Sequence, residues 1–259
     1  MIKQVHRLLS VAVLSVVLLL SSKLIAQDVT QLVPVAAPIP AGLETVEIFS
    51  PAVDRRMKFD IVLPANYYQS DERYPVLYLL HGYMQNYTVW GRNLAAAFYA
   101  RNLNNLILVL PDGGNSWFIN YASSAQGQRD NWEDHIIEDV IAHVDTNYRT
   151  EARREGRAIA GLSMGGFGAF SMGLRHTDMF VSIGSTSGAL GHARTAAAAI
   201  RAGVDRGPGA RNEERQARID EADAFISKII DIPGFSTQED RTPKGIDFET
   251  PEQAEAYDP

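Results

Sequence analysis

Four short apolar runs, Val76 to Leu80, Leu106 to Leu110, Arg157 to Ala160 and Phe180 to Ile183, alternate with segments of helical period or length. Runs of this grain are how strands buried on both faces read, and strand–helix alternation with right-handed crossovers builds a doubly wound, mostly parallel sheet. Ahead of them, Glu44 to Phe49 and Lys58 to Leu63 lie beside the turn signals Ser50-Pro51 and Leu63-Pro64. This predicts an antiparallel pair at one edge of the sheet. Helices are expected over Val89 to Tyr99, with Leu94, Ala95, Phe98 and Tyr99 on one side, and over Trp132 to Tyr148, with Ile136, Val140, Ile141 and Val144 inward. A third, Gly166 to Leu174, is small and apolar throughout, as a buried helix should be.

The flanks read differently. Lys3, His6 and Arg7 precede an apolar stretch from Leu8 to Leu20, and Ser21 to Lys23 then lead to Ala26. Residues 1–26 are therefore expected to be a signal peptide, with an apolar region too short to span a bilayer comfortably, cleaved near Ala26; an uncleaved membrane anchor is the alternative. Cleavage places the mature chain outside the cytoplasm, secreted or periplasmic, with no stable membrane association. Residues 27–42, with Pro34, Pro38 and Pro40, read as an extended linker, leaving 43–259 for one domain. After Gly188 the composition turns to Ala, Arg and Glu, with helix-forming stretches at Thr195 to Ala202 and Asn212 to Lys228 around the breaker Gly207-Pro208-Gly209. Residues from about 191 to 230 are expected to be a helical cap insertion. From Pro233 to Pro259 the chain is polar and loop-like.

Composition removes several classes of function. With no cysteine there are no disulfides, thiolate nucleophiles or thiolate metal sites. The formal charge of −7 includes Lys3, Arg7 and Lys23 of the leader, so the remainder is more acidic still and is a poor partner for nucleic acid. His135 and His143 stand eight apart with no ligand between them, and His176 sits where it can cap a helix end. No metal and no cofactor is implied.

The chemistry concentrates at Gly161-Leu162-Ser163-Met164-Gly165, where an apolar run ends and a small-residue segment begins. A serine on a sharp strand-to-helix turn needs neighbours without side chains, and this is the arrangement of a nucleophile elbow. Ser163 is the candidate nucleophile, and the N–H of Met164, at the opening of the helix, is a candidate oxyanion donor. The loop His81-Gly82-Tyr83-Met84-Gln85-Asn86 follows the strand Val76 to Leu80, and Tyr83 N–H is the second candidate donor. His81 either lines the substrate pocket or only hydrogen-bonds backbone. Pro111 to Trp117 also opens on the carboxyl edge of the sheet, where ligands of such sheets bind, so Asn115 and Trp117 are candidate pocket residues; the alternative is a plain turn. Asp130, Glu133 and Asp134 open a helix and are expected to complement its dipole.

Leu79-Leu80-His81-Gly82, Leu110-Pro111-Asp112-Gly113-Gly114, the segment Ala160 to Ala169, and Ser187-Gly188-Ala189 together resemble the putative-esterase family of α/β hydrolases. That family includes esterase D or S-formylglutathione hydrolase, tributyrin esterases, feruloyl and acetylxylan esterases, and mycolyltransferases. The resemblance runs from about residue 44 to about 190. It implies an α/β-hydrolase fold, Ser163 as nucleophile, an oxyanion hole of Met164 and Tyr83, and a small-molecule or carbohydrate-linked ester as substrate. In the family the acid follows the next core strand and the histidine the last one, and neither strand is evident here. Of the later residues His192 is at best a substitute base, and Asp231, Asp240, Asp247 and Asp258 follow no strand. The expectation is a C-terminally truncated hydrolase whose acid and histidine lie beyond Pro259, with little activity of its own. Acyl transfer on the same scaffold, or a binding module without chemistry, are the alternatives.

Overall fold

The computed structural model describes residues 40–103, 105–124, 129–203, 245–246 and 248–259. The expected leader, most of the linker and the helix expected over 212–228 lie outside these residues. Strands β1 (Leu43–Ser50) and β2 (Arg55–Val62) pair antiparallel, from Leu43 opposite Val62 to Ser50 opposite Arg55. They form the edge that the turn signals implied. Beyond them come β3 (Val76–Leu80), β4 (Ile107–Pro111), a short β5 (Ser123–Ser124), β6 (Arg157–Leu162) and β7 (Ser182–Thr186). The main sheet runs β1-β2-β4-β3-β6-β7, with β2 antiparallel to β4 and the pairs β3–β4, β3–β6 and β6–β7 parallel. The last strand starts two residues later than its apolar run suggests, because Phe180 is spent on the core ahead of it.

Alternation along the strands divides the sheet into two buried faces. Phe59, Ile61, Tyr78, Leu80, Ile107, Val109 and Ile159 enter one cluster, while Val62, Leu108 and Leu110, with Leu77 and Leu79 packed beside them, enter another. A strand whose successive side chains both meet apolar partners must be apolar throughout. The first face is covered by a helix running through Trp132–Asp134, a π-helical stretch His135–Val140 and Ile141–Asn147, here α2, and by α3 (Met164–Arg175). Ile136, Val140, Ile141 and Val144 are all buried there, as their spacing predicted.

The second face is covered by α1 (Ala96–Leu103), and here the sequence expectation fails. Val89–Asn93 forms a single π-helical turn that ends at Leu94, and Ala95 then takes a φ of 59° before α1 begins. That left-handed residue resets the helical phase. Ala97 and Ala100 face the sheet, and Leu94, Phe98 and Tyr99, expected inward as a set, are 49%, 63% and 67% exposed.

A second correction concerns the polar C-terminal stretch. Gly245–Ile246 (β8) pairs with β5, Phe248 is buried, and Pro251–Glu255 forms a short helix, α5. Thr250 caps it reciprocally: its hydroxyl accepts the Gln253 N–H at 3.3 Å, and Gln253 Oε1 accepts the Thr250 N–H at 3.0 Å. The tail docks on α4 (His192–Arg201), where Ala193, Ala196 and Ala197 meet Phe248 and Ala254. Arg194 reaches both oxygens of Asp258, and Arg201 reaches Glu255 at 2.5 Å.

Candidate active site

Ser163 stands between β6 and α3 with φ 52° and ψ −111°, a conformation that strains any residue carrying a Cβ. Its backbone is tied on both sides: Ser163 N–H donates to Thr186 O at 3.0 Å, and Ser163 O accepts from Phe167 N at 3.0 Å and Ala189 N at 3.1 Å. The flanking glycines have a steric cause. A Cβ on Gly161 would lie 2.3 Å from the Gly165 carbonyl, and one on Gly165 would lie 2.5 Å from His81 O and 2.6 Å from Leu80 O. The elbow is thus pressed against the loop after β3, and only glycine allows the approach. Ser163 is half-buried. Met164 N–H is the first N–H of α3, where no intrahelical acceptor exists and the helix presents its positive end.

The loops after β3 and β4 are laced together beside it. Gln85 Oε1 accepts the Gly82 N–H at 2.8 Å, and Asn115 Oδ1 accepts the Met84 N–H at 2.7 Å. His81 is wholly buried; its Nε2 accepts the Gly113 N–H at 2.9 Å, so its Nδ1 carries the proton and donates to Gly82 O at 2.8 Å. Both ring nitrogens of His81 are therefore bonded to backbone. Asn115 is also buried, with its Oδ1 engaged by the neighbouring loop.

Trp117 does face its neighbours across the elbow. Its ring stacks on His192 with centroids 3.6 Å apart and planes 5° apart, meets Phe167 edge-on at 5.9 Å and lies 6.1 Å from Tyr83. Trp117 and Phe118 both have positive φ, 61° and 56°. Phe167, His192 and Phe248 complete an aromatic wall that sequence reading missed, since three segments distant along the chain supply it. Among the described histidines His81 serves backbone, His135 meets Ser50, His176 meets Glu133, and His192 stacks on Trp117.

The acids at the start of α2 do more than complement its dipole. Buried Glu133 takes Arg175 Nε at 3.1 Å and His176 Nε2 at 2.6 Å on one oxygen, Asp134 accepts from Asn120 Nδ2 at 2.7 Å, and Asp130 pairs with Arg55 at 2.6 Å. His176 therefore spends its ring on a carboxylate, not on helix-end carbonyls. A second serine, histidine and aspartate also meet: Ser50 Oγ donates to Asp139 at 2.5 Å and accepts from His135 Nδ1 at 2.9 Å. Ser50 and His135 are fully buried and Asp139 is half-buried, and the trio pins the end of β1 to α2.

This sheet and its helices define an α/β-hydrolase fold. Residues 50–227, more than half of the chain, match the family described as "Putative esterase", and the chain belongs to that family. It is 39% identical over 136 residues to Esterase Rv1288 of Mycobacterium tuberculosis, which covers 50% of this chain and 28% of that protein. It is 31% identical over 157 residues to an endo-1,4-beta-xylanase/feruloyl esterase of Xylanibacter ruminicola, covering 57% of this chain and 22% of the relative. A solved ferulic acid esterase superposes with a TM-score of 0.51 at 30% identity, covering 57% of this chain and 59% of that one. The chain thus spans between a fifth and a third of the length of these two curated relatives.

Proposed function

We propose that the protein is an exported carboxylic ester hydrolase working through an acyl-enzyme on Ser163. Ser163 Oγ forms a bond to the ester carbonyl carbon, the carbonyl electron pair moves to oxygen, and the proton of Oγ passes to a base. Met164 N–H and Tyr83 N–H receive the oxyanion. Collapse expels the alcohol, and water then attacks the acyl-serine to release the acid. The observation that carries this reading is the strained, half-buried Ser163 at the start of α3, wedged by Gly161 and Gly165 against the neighbouring loop. The feruloyl esterase relative supports a small-molecule or carbohydrate-linked ester as substrate. The basic and then apolar N-terminus, Lys3 to Leu20, supports export, and among the described residues no helix is long and apolar enough to cross a membrane.

The proton acceptor sets the expected rate. Hydrolysis through Ser163 requires a base that takes its proton. A missing triad base costs on the order of 10⁶-fold in serine hydrolases. The test measures p-nitrophenyl acetate hydrolysis and fluorophosphonate labelling, with and without Ser163→Ala. Both are expected to fall at least about 10³-fold in the variant. Hydrolysis or labelling that survives Ser163→Ala would overturn the reading.

A further inference from the structure

The two hydrogen bonds on either side of Tyr83 carry an inference about Asn115. Gly82 N–H is taken by Gln85 Oε1 at 2.8 Å, and Met84 N–H by Asn115 Oδ1 at 2.7 Å. With the N–H groups before and after it committed to side chains, the orientation of the peptide that bears the Tyr83 N–H is set from both ends. Met84 itself has a φ of 63°, a conformation that costs free energy in a residue with a side chain and persists only where something holds it. Asn115 supplies that hold from the other loop, 31 residues along the chain, and it is 6% exposed. Its own position is fixed in turn. His81 Nε2 takes the Gly113 N–H at 2.9 Å, and Ser116 Oγ accepts the Phe118 N–H at 3.0 Å, so the loop that bears Asn115 is bonded on both sides of it.

We infer that Asn115 is a positioning residue: its amide oxygen holds the Met84 peptide so that the neighbouring Tyr83 N–H points at the oxyanion. The inference rests on the proposed role of Tyr83 N–H. A donor aimed by such hydrogen bonds contributes most where charge develops on the carbonyl oxygen and little to the resting ester.

The test compares the protein with its Asn115→Ala, Asn115→Asp and Ser163→Ala variants, reading kcat, KM, the inhibition constant of a trifluoromethyl ketone, and thermal stability. Such a ketone adds to the serine and carries an oxyanion, so it reports the donor directly. Asn115→Ala is expected to lower kcat and ketone affinity by a similar factor, about 10- to 100-fold, with KM within about 3-fold. Asn115→Asp keeps an oxygen to accept the Met84 N–H and is expected to recover most of the loss. Unchanged kcat and ketone affinity in Asn115→Ala would overturn the inference. So would a loss that follows the thermal midpoint and is not recovered by Asn115→Asp, because packing alone would then explain it. Activity that persists in Ser163→Ala would instead overturn the serine mechanism beneath it.

Discussion

Ser163 holds its hydroxyl at φ 52° and ψ −111°, and the cost of that backbone is measurable apart from any chemistry. Sparsely populated conformations of this kind cost on the order of 1–3 kcal/mol when a Cβ is present. Ser163→Gly removes the Cβ and the strain, whereas Ser163→Ala removes only the hydroxyl. The glycine variant is therefore expected to be more stable than the alanine variant by about 1 kcal/mol in urea unfolding, despite the greater chain entropy that glycine loses on folding. Equal stabilities would show that the turn stores no strain. The elbow was legible in sequence because local sterics dictate its pattern: Gly161 and Gly165 lie within two residues of the serine they accommodate. The hold on Met84 was not legible, since a lone asparagine 31 residues away carries no periodic or local signature.

At the scale of elements, the buried strands were readable because both their faces meet apolar partners, which forces a continuous apolar run. The helix ahead of β4 was misread because hydrophobic period assumes an unbroken helix, and Ala95 at φ 59° breaks it between the π-helical turn and α1. The inward residues are then Ala97 and Ala100, whose small side chains let α1 approach Leu108 and Leu110. The reversed face can be tested directly. Ala97→Leu, at a fully buried site, is expected to cost about 1–3 kcal/mol by overpacking, whereas Phe98→Lys, at a site 63% exposed, should change stability by less than about 0.5 kcal/mol in chemical denaturation. The opposite ranking would restore the face expected from the sequence. The tail was misread for a related reason: α5 contributes only Ala254 to a core and is held by its Thr250 cap and by arginines of α4, a polar design with no apolar stripe.

For the molecule as a whole, the trio Ser50, His135 and Asp139 links the sheet edge to the long helix and couples folding to pH. Burial holds His135 well below its usual value of 6.5, at about 4, and outweighs the opposing pull of the Asp139 and Asp112 carboxylates; Arg55 adds to the depression. The neutral ring also fits its hydrogen bonds, because Ser50 Oγ spends its proton on Asp139 and so accepts from His135 Nδ1. The native state therefore refuses a proton that the unfolded chain accepts readily below about pH 6.5. The stability contributed by a neutral His135 is fully present above that pH. It falls as the pH drops toward 4 and then levels off, once the native ring is protonated as well. Between about pH 7 and about pH 5 the linkage amounts to roughly 2 kcal/mol. His135→Asn keeps a side-chain N–H for Ser50 but cannot titrate. Urea unfolding at both pH values should show the parent losing about 2 kcal/mol more than this variant on acidification. Parallel losses in the two proteins would mean that His135 is protonated in the native state, and that the trio does not link folding to pH.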